Sequence, residues 1–124
     1  MKPSIKSLDD EWTADVKKRD GYKCVHCDKV VGLNAHHIFS RSKRSTRWYL
    51  LNGILLCCSC HMLSSGFSAH KTPTEFTEWV KEYLGEKQYD KLRQKAYSID
   101  KRPLDEIQND LKFDALGIFL TDNT

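Results

Sequence analysis

The sequence predicts a small α+β fold whose short central core is framed by cysteines and flanked by helices at both ends. The first observation is a pair of C-x-x-C motifs, Cys24/Cys27 and Cys57/Cys60, with 29 residues between them. The second is that two segments of strand length lie between the motifs, and the third is that apolar residues recur at helical spacing outside them. A chain of 124 residues suits one domain of this kind.

The cysteines predict a metal site. Five cysteines, an odd number, fit a disulfide framework poorly. In a reducing compartment two C-x-x-C pairs are typical of a zinc site, because four thiolates complete a tetrahedron around one ion. We therefore predict a structural Zn²⁺ bound by Cys24, Cys27, Cys57 and Cys60, on which folding depends, with unpaired or redox-active thiols as the alternative. The remaining Cys58 is interpreted as a small buried hydrophobic residue.

The N-terminal segment predicts one helix before the first cysteine pair. Residues 8–20 are assigned to it because Leu8, Trp12 and Val16 recur every four residues and so share one helical face. In the cysteine knuckle that follows, we expect His26 to face solvent, because four cysteines already complete the zinc site.

The segment between the cysteine pairs predicts a β-hairpin. Residues 33–39 form a short extended segment, and the apolar residues 54–57 follow the turn-type dipeptide Asn52-Gly53. The two segments are expected to pair with each other. The second knuckle should then open a short helix that carries His61.

Three further helices are predicted towards the C-terminus. The first has Thr72 at the N-cap, Glu75 placed to close a capping box, and its end near Leu84. A second is predicted over 86–97 and a third after Pro103. The buried face of the first consists of Phe76, Trp79, Val80, Tyr83 and Leu84.

These elements divide the chain into an N-terminal helix (1–21), a central domain (22–84) and a helical C-terminal extension (85–124). The longest apolar run, 54–58, is far shorter than the roughly 20 residues that a membrane span requires. Residues 1–10 contain no apolar segment of the kind found in secretion signals. We therefore expect a cytoplasmic protein without a membrane partner.

The net charge of +3 conceals a difference between the two parts of the chain. Residues 1–71 contain 12 Lys and Arg against 6 Asp and Glu, whereas residues 72–124 contain 8 against 11. A basic surface suits a polyanion such as nucleic acid, although a solvated basic loop explains the charge equally well. The candidate phosphate-binding residues are Arg41, Lys43, Arg44 and Arg47.

Three motifs in this order resemble those of HNH endonucleases with cysteine knuckles, a type common in phages and bacteria. They are AHHI at 35–38, NGILL at 52–56 and CCSCH at 57–61. The resemblance covers about residues 22–84. It implies a ββα-metal, treble-clef-like core on the four-cysteine zinc site and an enzyme that hydrolyses DNA phosphodiester bonds with a divalent cation.

The resemblance also implies a role for each residue of the motifs. His37 corresponds to the general base that takes a proton from water, and His36 and His61 correspond to ligands of the catalytic ion, Mg²⁺, Mn²⁺ or Ni²⁺. Asn52 corresponds to the residue that fixes the hairpin loop. His70, after an apparent insertion, is either a third ligand, a phosphate contact or a surface histidine.

Two alternatives of other classes remain open at this point. A non-catalytic zinc-dependent nucleic-acid-binding module would use the cysteines and the basic loop but has no need of the histidines, which favour the enzyme. A zinc-dependent protein interaction domain would leave the basic loop unexplained. DNA is the expected partner, and by family analogy a phage packaging enzyme would supply sequence specificity.

Overall fold

The computed structural model describes residues 2–121, with the backbone alone for residues 118–121. The predicted α+β class is confirmed, because one two-stranded antiparallel sheet is surrounded by helices. None of the described helices combines the length with the hydropathy that a bilayer crossing needs. The elements in chain order are α1 (Ile5–Arg19), β1 (Leu33–His37), α2 (Arg44–Arg47), a 3₁₀ turn (Leu50–Asn52), β2 (Gly53–Cys57), a π-helical turn (Ser59–Leu63), α3 (Pro73–Leu84), α4 (Glu86–Ala96) and α5 (Leu104–Thr121).

The helix ends depend on hydrogen bonds that the sequence only partly indicated. Helix α1 begins three residues before the predicted start because Ser4 and Ser7 form a reciprocal capping box. The capping box predicted for α3 from Thr72 and Glu75 is wrong. The Thr72 hydroxyl instead donates to the Ser68 carbonyl and accepts the Ser68 N–H, so it closes the preceding loop.

The predicted hairpin is confirmed. Strand β1 pairs with β2 in an antiparallel register that sets Leu33 opposite Cys57 and His37 opposite Gly53. The connection is not a tight turn at Asn52-Gly53, as the dipeptide suggested. Residues 38–52 form the connection and contain α2 and the 3₁₀ turn, and Gly53 is the first residue of β2.

Strand β2 is buried on both faces and so determines which helices lie on each side of the hairpin. Leu55 packs with α1 and α5, whereas Ile54 and Leu56 pack with α3 through Phe76 and Val80. Alternate residues of a strand point to opposite faces. The hairpin therefore separates an α1–α5 layer from a layer that contains the cysteines and α3.

Gly53 permits α1 to approach the sheet closely. A Cβ atom at this position would lie 2.5 Å from Cγ2 of Val16 and 2.6 Å from Cζ2 of Trp12. Both neighbours are buried side chains that cannot move aside without disturbing the core. The close contact holds α1 against the end of β1 that carries His37.

A partly buried ion pair at the end of α1 fixes this helix to the hairpin. Arg19 binds Asp20 and also donates to the carbonyl oxygens of Leu50 and Gly53, both at 2.6 Å. Asp20 in turn accepts the N–H of Leu55 at 2.9 Å. Because the remaining polar atoms of the pair are occupied by backbone groups, α1 is held in one position along the sheet.

Candidate metal centres and active site

The four predicted zinc ligands meet at one point. Cys57 ends β2, Cys60 lies in the π-helical turn, and Cys24 and Cys27 come from the first knuckle. Their sulfur atoms all lie within 4.8 Å of one another, and those of Cys27 and Cys57 are 3.5 Å apart. Two sulfurs at about 2.3 Å from one zinc in tetrahedral directions lie about 3.8 Å apart. The cluster could therefore hold a structural metal ion such as zinc.

The thiols of this cluster differ in acidity. Burial opposes ionisation of Cys57, but the Cys60 backbone N–H and the other thiols lower the pKa of Cys57 to about 7. Burial, together with the neighbouring thiols, raises the pKa of Cys60 well above its usual range. Only one of these two thiols ionises readily by itself, whereas a divalent cation would compensate the charge of several thiolates at once.

His26 contacts the cysteine cluster from outside. It is exposed, as predicted, but its ring stacks on Phe67 with centroids 3.9 Å apart, and its Nδ1 lies 3.4 Å from the Cys60 sulfur. This contact links the first knuckle to the loop between His61 and His70. No local pattern in the sequence predicts this contact, because the two partners are distant in the chain.

Cys58 was predicted to be buried, and this prediction is wrong. Its side chain is exposed, and its thiol donates to the Gly32 carbonyl at 3.2 Å while the Asn34 amide donates to its sulfur. The physical reason is the sharp turn from β2 into the π-helical turn, which directs Cys57 and Cys60 towards the cluster and Cys58 away from it.

A second cluster consists of three imidazoles, from His36, His61 and His70. One ring nitrogen from each lies within 4.8 Å of the others, and the Nε2 atoms of His61 and His70 are 3.2 Å apart. Two imidazole nitrogens bound to one ion at about 2.1 Å in tetrahedral directions lie about 3.4 Å apart. The structure thus brings together the three histidines that the sequence suggested as ligands of a second ion.

The backbone sets the position of His70 despite the long loop that precedes it. The N–H of Ala69 donates to the Cys60 carbonyl and the N–H of His70 donates to the His61 carbonyl, at 2.9 and 3.0 Å. Residues 62–69 therefore leave the π-helical turn and return to it. His70 is therefore not one helical turn after His61, as the motif led us to expect. It lies beside His61 because the loop folds back.

The environment of this cluster favours the neutral form of His36 and His61. Burial and the adjacent His61, His70 and His37 lower the pKa of His36 to about 3, and burial also lowers the pKa of His61. The Nδ1 atom of His61 is buried without a hydrogen-bond partner. Neutral imidazoles with an unpartnered nitrogen are suitable cation ligands, so the residues present fit a divalent ion.

His37 points to the other side of β1 from His36, as alternation along a strand requires. Its ring stacks on Trp12 with centroids 4.0 Å apart and planes 10° apart, and its Nε2 lies 2.9 Å from the Arg47 carbonyl. A carbonyl can only accept, so Nε2 carries the proton and Nδ1 is the acceptor in the neutral ring. His37 is the last residue of β1. At a strand end the regular alternation stops, so His36 and His37 can border one site although they point to opposite sides of the strand.

Asn52 is fully buried and fixes the connection between the strands. Its side-chain oxygen accepts the N–H of Phe39 at 2.8 Å, and its amide nitrogen donates to the carbonyls of Phe39 and Thr46 at 3.0 and 3.1 Å. The side chain, at the end of residues 38–52, therefore holds the start and the middle of the loop that follows His37. The carbonyl of Arg47, which binds His37, lies one residue beyond Thr46.

The basic loop, residues 40–48, is only partly available for a ligand. Arg47 donates twice to Asp9, which also accepts the indole N–H of Trp48, and Arg44 donates to the Arg102 carbonyl. Both guanidinium groups thus have partners inside the chain. Their place in a charged loop had instead suggested phosphate contacts. Arg41 is exposed, so the prediction of phosphate contacts is carried better by Arg41 and Lys43 than by the two paired arginines.

The pair of Asp9 and Arg47 is expected to make stability depend on pH. The Arg47 guanidinium holds the pKa of Asp9 below its ordinary value of 3.8. A carboxylate with a lowered folded-state pKa stabilises the fold above the unfolded value, and this contribution is lost as the pH falls through the folded value. Asp9→Asn should therefore lower the free energy of unfolding by about 1 kcal/mol at pH 7.

The difference between the parent and Asp9→Asn should shrink as the pH falls below about 3.8. Denaturant unfolding at a series of pH values measures it, and Asp10→Asn provides the control because Asp10 is exposed and pairs with the exposed Lys6. A pH-independent difference between the parent and Asp9→Asn would show that the ion pair does not contribute.

No protein-family model, curated protein or solved structure matches this chain. The role of the site is therefore argued from its own geometry and chemistry.

Proposed function

We propose that the chain is a metal-dependent endonuclease of the HNH type, with a ββα-metal core on a structural zinc, and that it hydrolyses DNA phosphodiester bonds. The observation that carries the proposal is the convergence of His36, His61 and His70 at the hairpin end where His37 is held by a backbone carbonyl. Three clustered imidazoles suit a cation, and a fourth with a defined acceptor nitrogen suits a general base.

His36, His61 and His70 would hold the catalytic divalent ion. When bound, such an ion neutralises charge on the scissile phosphate and stabilises the leaving 3′ oxygen. The described part of the chain places no carboxylate in this cluster, so the ligand set is one of imidazoles. Such ligands suit Mn²⁺, Ni²⁺ or Zn²⁺ better than Mg²⁺, which prefers oxygen.

His37 would accept the proton of the attacking water at Nδ1. Its Nε2–H is bound to the Arg47 carbonyl, so the ring cannot turn and the acceptor nitrogen keeps its direction. The stack on Trp12 fixes the plane of the ring. As the water oxygen bonds to phosphorus, its proton passes to Nδ1 and the bond from phosphorus to the 3′ oxygen breaks.

Asn52 acts on the same step as a positioning residue. Its three hydrogen bonds hold the backbone at Phe39 and Thr46. The loop held in this way supplies the carbonyl that orients His37. A binding module without catalysis would need neither this orientation nor the histidine cluster, which is why the enzyme is preferred.

A plasmid-cleavage assay tests the proposal. Zinc-loaded protein incubated with supercoiled plasmid is expected to nick or linearise it when Mn²⁺, Ni²⁺ or Mg²⁺ is added, and His36→Ala is expected to lose this activity. His26→Gln is the matched control, because it removes the one histidine that lies outside both the cluster and the base position.

Metal analysis of each variant separates loss of the catalytic ion from loss of the fold, since the structural zinc should remain in His36→Ala. The proposal fails if the parent protein leaves the plasmid intact with all three ions. It fails equally if His36→Ala cleaves at the rate of the parent.

A further inference from the structure

The C-terminal extension consists of two parts of opposite charge. Residues 86–102 contain six Lys and Arg against three Asp and Glu, whereas residues 103–124 contain one against five. The acidic part is mainly α5, which packs on α1. The basic part is α4 and the segment after it, so the net negative charge of this half of the chain conceals a basic helix.

Helix α4 lies beside the basic loop. The hydroxyl of Ser45 in α2 donates to the carbonyls of Lys95 and Ala96 at the end of α4, at 2.6 and 3.1 Å. Leu92 and Ala96 are buried on the same side of the helix. The acidic α5 thus packs on α1, whereas the basic α4 packs beside the basic loop.

One face of α4 forms an aromatic and basic ridge with its neighbours. Tyr89, Arg93 and Tyr97 lie four residues apart and so share this face. The Lys43 ammonium lies 4.1 Å from the centre of the Tyr97 ring, and that of Lys81 lies 5.3 Å from the centre of the Tyr89 ring. We call these five residues the α4 ridge.

The α4 ridge contacts the loop that follows His37. The ring of Phe39 lies 5.5 Å from that of Tyr89 and 6.4 Å from that of Tyr97. The backbone of Phe39 is the group that Asn52 holds, two residues after His37. Phe39 therefore links the ridge to the loop that follows His37.

Two of the three cations of the ridge, Lys43 and Lys81, lie over aromatic rings. None of the ion pairs found among residues 2–121 involves Lys43 or Lys81, and Arg93 has one at 3.5 Å with the exposed Asp90. A cation over an aromatic face keeps its full charge, because the ring does not neutralise it as a carboxylate does. Tyr97 itself is 68% exposed.

We infer that the α4 ridge binds the phosphate backbone of DNA and extends the contact from the histidine cluster along α4. This inference rests on the proposed function. The three cations of the ridge outnumber the two neighbouring carboxylates, Glu86 and Asp90, and so provide net positive charge for a polyanion. The exposed ring of Tyr97 beside Lys43 suits sugar–phosphate and base surfaces. The ridge carries no group that would read base edges in a fixed pattern, so the contact is independent of sequence.

Binding of a labelled DNA duplex, measured by fluorescence anisotropy without added catalytic ion, tests the ridge. The double variant Lys81→Gln/Arg93→Gln should raise the Kd and lower the slope of log K against log salt by about 2, the loss of two phosphate contacts. The matched control is Lys91→Gln/Lys112→Gln, which removes the same charge from exposed positions outside the ridge and should change the slope less.

Variants of Tyr97 distinguish the contribution of the aromatic ring to DNA binding from that of net charge. Tyr97→Leu should raise the Kd although the charge is unchanged, and Tyr97→Phe should restore binding because it keeps the ring under Lys43. Equal Kd values and salt slopes for the ridge and control double variants would overturn the inference, as would equal binding by Tyr97→Leu and the parent.

The two proposals fail in different ways. Plasmid cleavage that disappears in His36→Ala, together with ridge variants that bind DNA like the parent, would overturn the ridge alone. Slope and Kd changes in the ridge variants of a protein that never cleaves would overturn the nuclease and leave the ridge as the surface of a binding module.

Discussion

Cys60→Ser is expected to lose the structural metal and the cooperative unfolding transition of the chain. Cys60 lies in the π-helical turn that follows β2 and carries His61, and its backbone carbonyl also accepts the Ala69 N–H. The cysteine cluster closes the 29 residues between the two motifs. Structural zinc contributes on the order of 10 kcal/mol in small folds, about as much as the whole stability of a typical domain.

Metal analysis and thermal unfolding followed by circular dichroism measure this effect. The parent should carry one tightly bound zinc per chain and unfold in one transition, and a strong chelator should reproduce the effect of the substitution. Cys58→Ser is the matched control, because Cys58 is exposed and directed away from the cluster. A parent without bound zinc, or a Cys60→Ser protein as stable as Cys58→Ser, would contradict the prediction.

Features encoded by local pattern could be predicted from the sequence. Helix α1 follows from Leu8, Trp12 and Val16 at one spacing, and all three are buried as expected. The hairpin follows from two short segments between the cysteine pairs, and the cysteine cluster from its motif. In each case the signal lies within a few residues, where side-chain periodicity and metal-ligand spacing operate.

Features that depend on contacts between distant segments could not be predicted. The partner of Arg47 is Asp9, 38 residues away, so its charge was interpreted as a ligand contact. Gly53 was interpreted as a turn residue, because its closeness to Trp12 appears only when α1 is packed. The basic face of α4 was concealed in a half of the chain with net negative charge.

The histidines of the candidate site include residues whose place follows from a local motif and one whose place depends on distant contacts. Motif order suggested His36, His61 and Asn52, and the structure brings the first two together and buries the third at the loop. The place of His70 could not be derived from spacing, because it depends on backbone bonds that close residues 62–69. The roles of these residues stay predictions, to be tested by chemistry.

His37→Gln is expected to lower DNA cleavage by about 10²- to 10⁴-fold, the range typical for a lost general base. Glutamine suits this test because its amide nitrogen can replace Nε2 as the donor to the Arg47 carbonyl, while it offers no basic nitrogen. The loop and its contact with the hairpin should therefore persist. Thermal unfolding should show a stability closer to the parent than that of His37→Ala, which loses both the bond and the stack on Trp12.

Metal binding distinguishes the base from the ligands. Isothermal titration with Ni²⁺ or Mn²⁺ should give similar affinities for the parent and His37→Gln, because His37 lies outside the three-imidazole cluster. His61→Ala should lose affinity for the ion, since it removes one of three ligands. His36 and His37 are adjacent but point to opposite sides of β1, so the assignment of their roles is reversed if His37→Gln loses the ion and His36→Ala keeps it. Normal cleavage by His37→Gln would remove His37 from the reaction altogether.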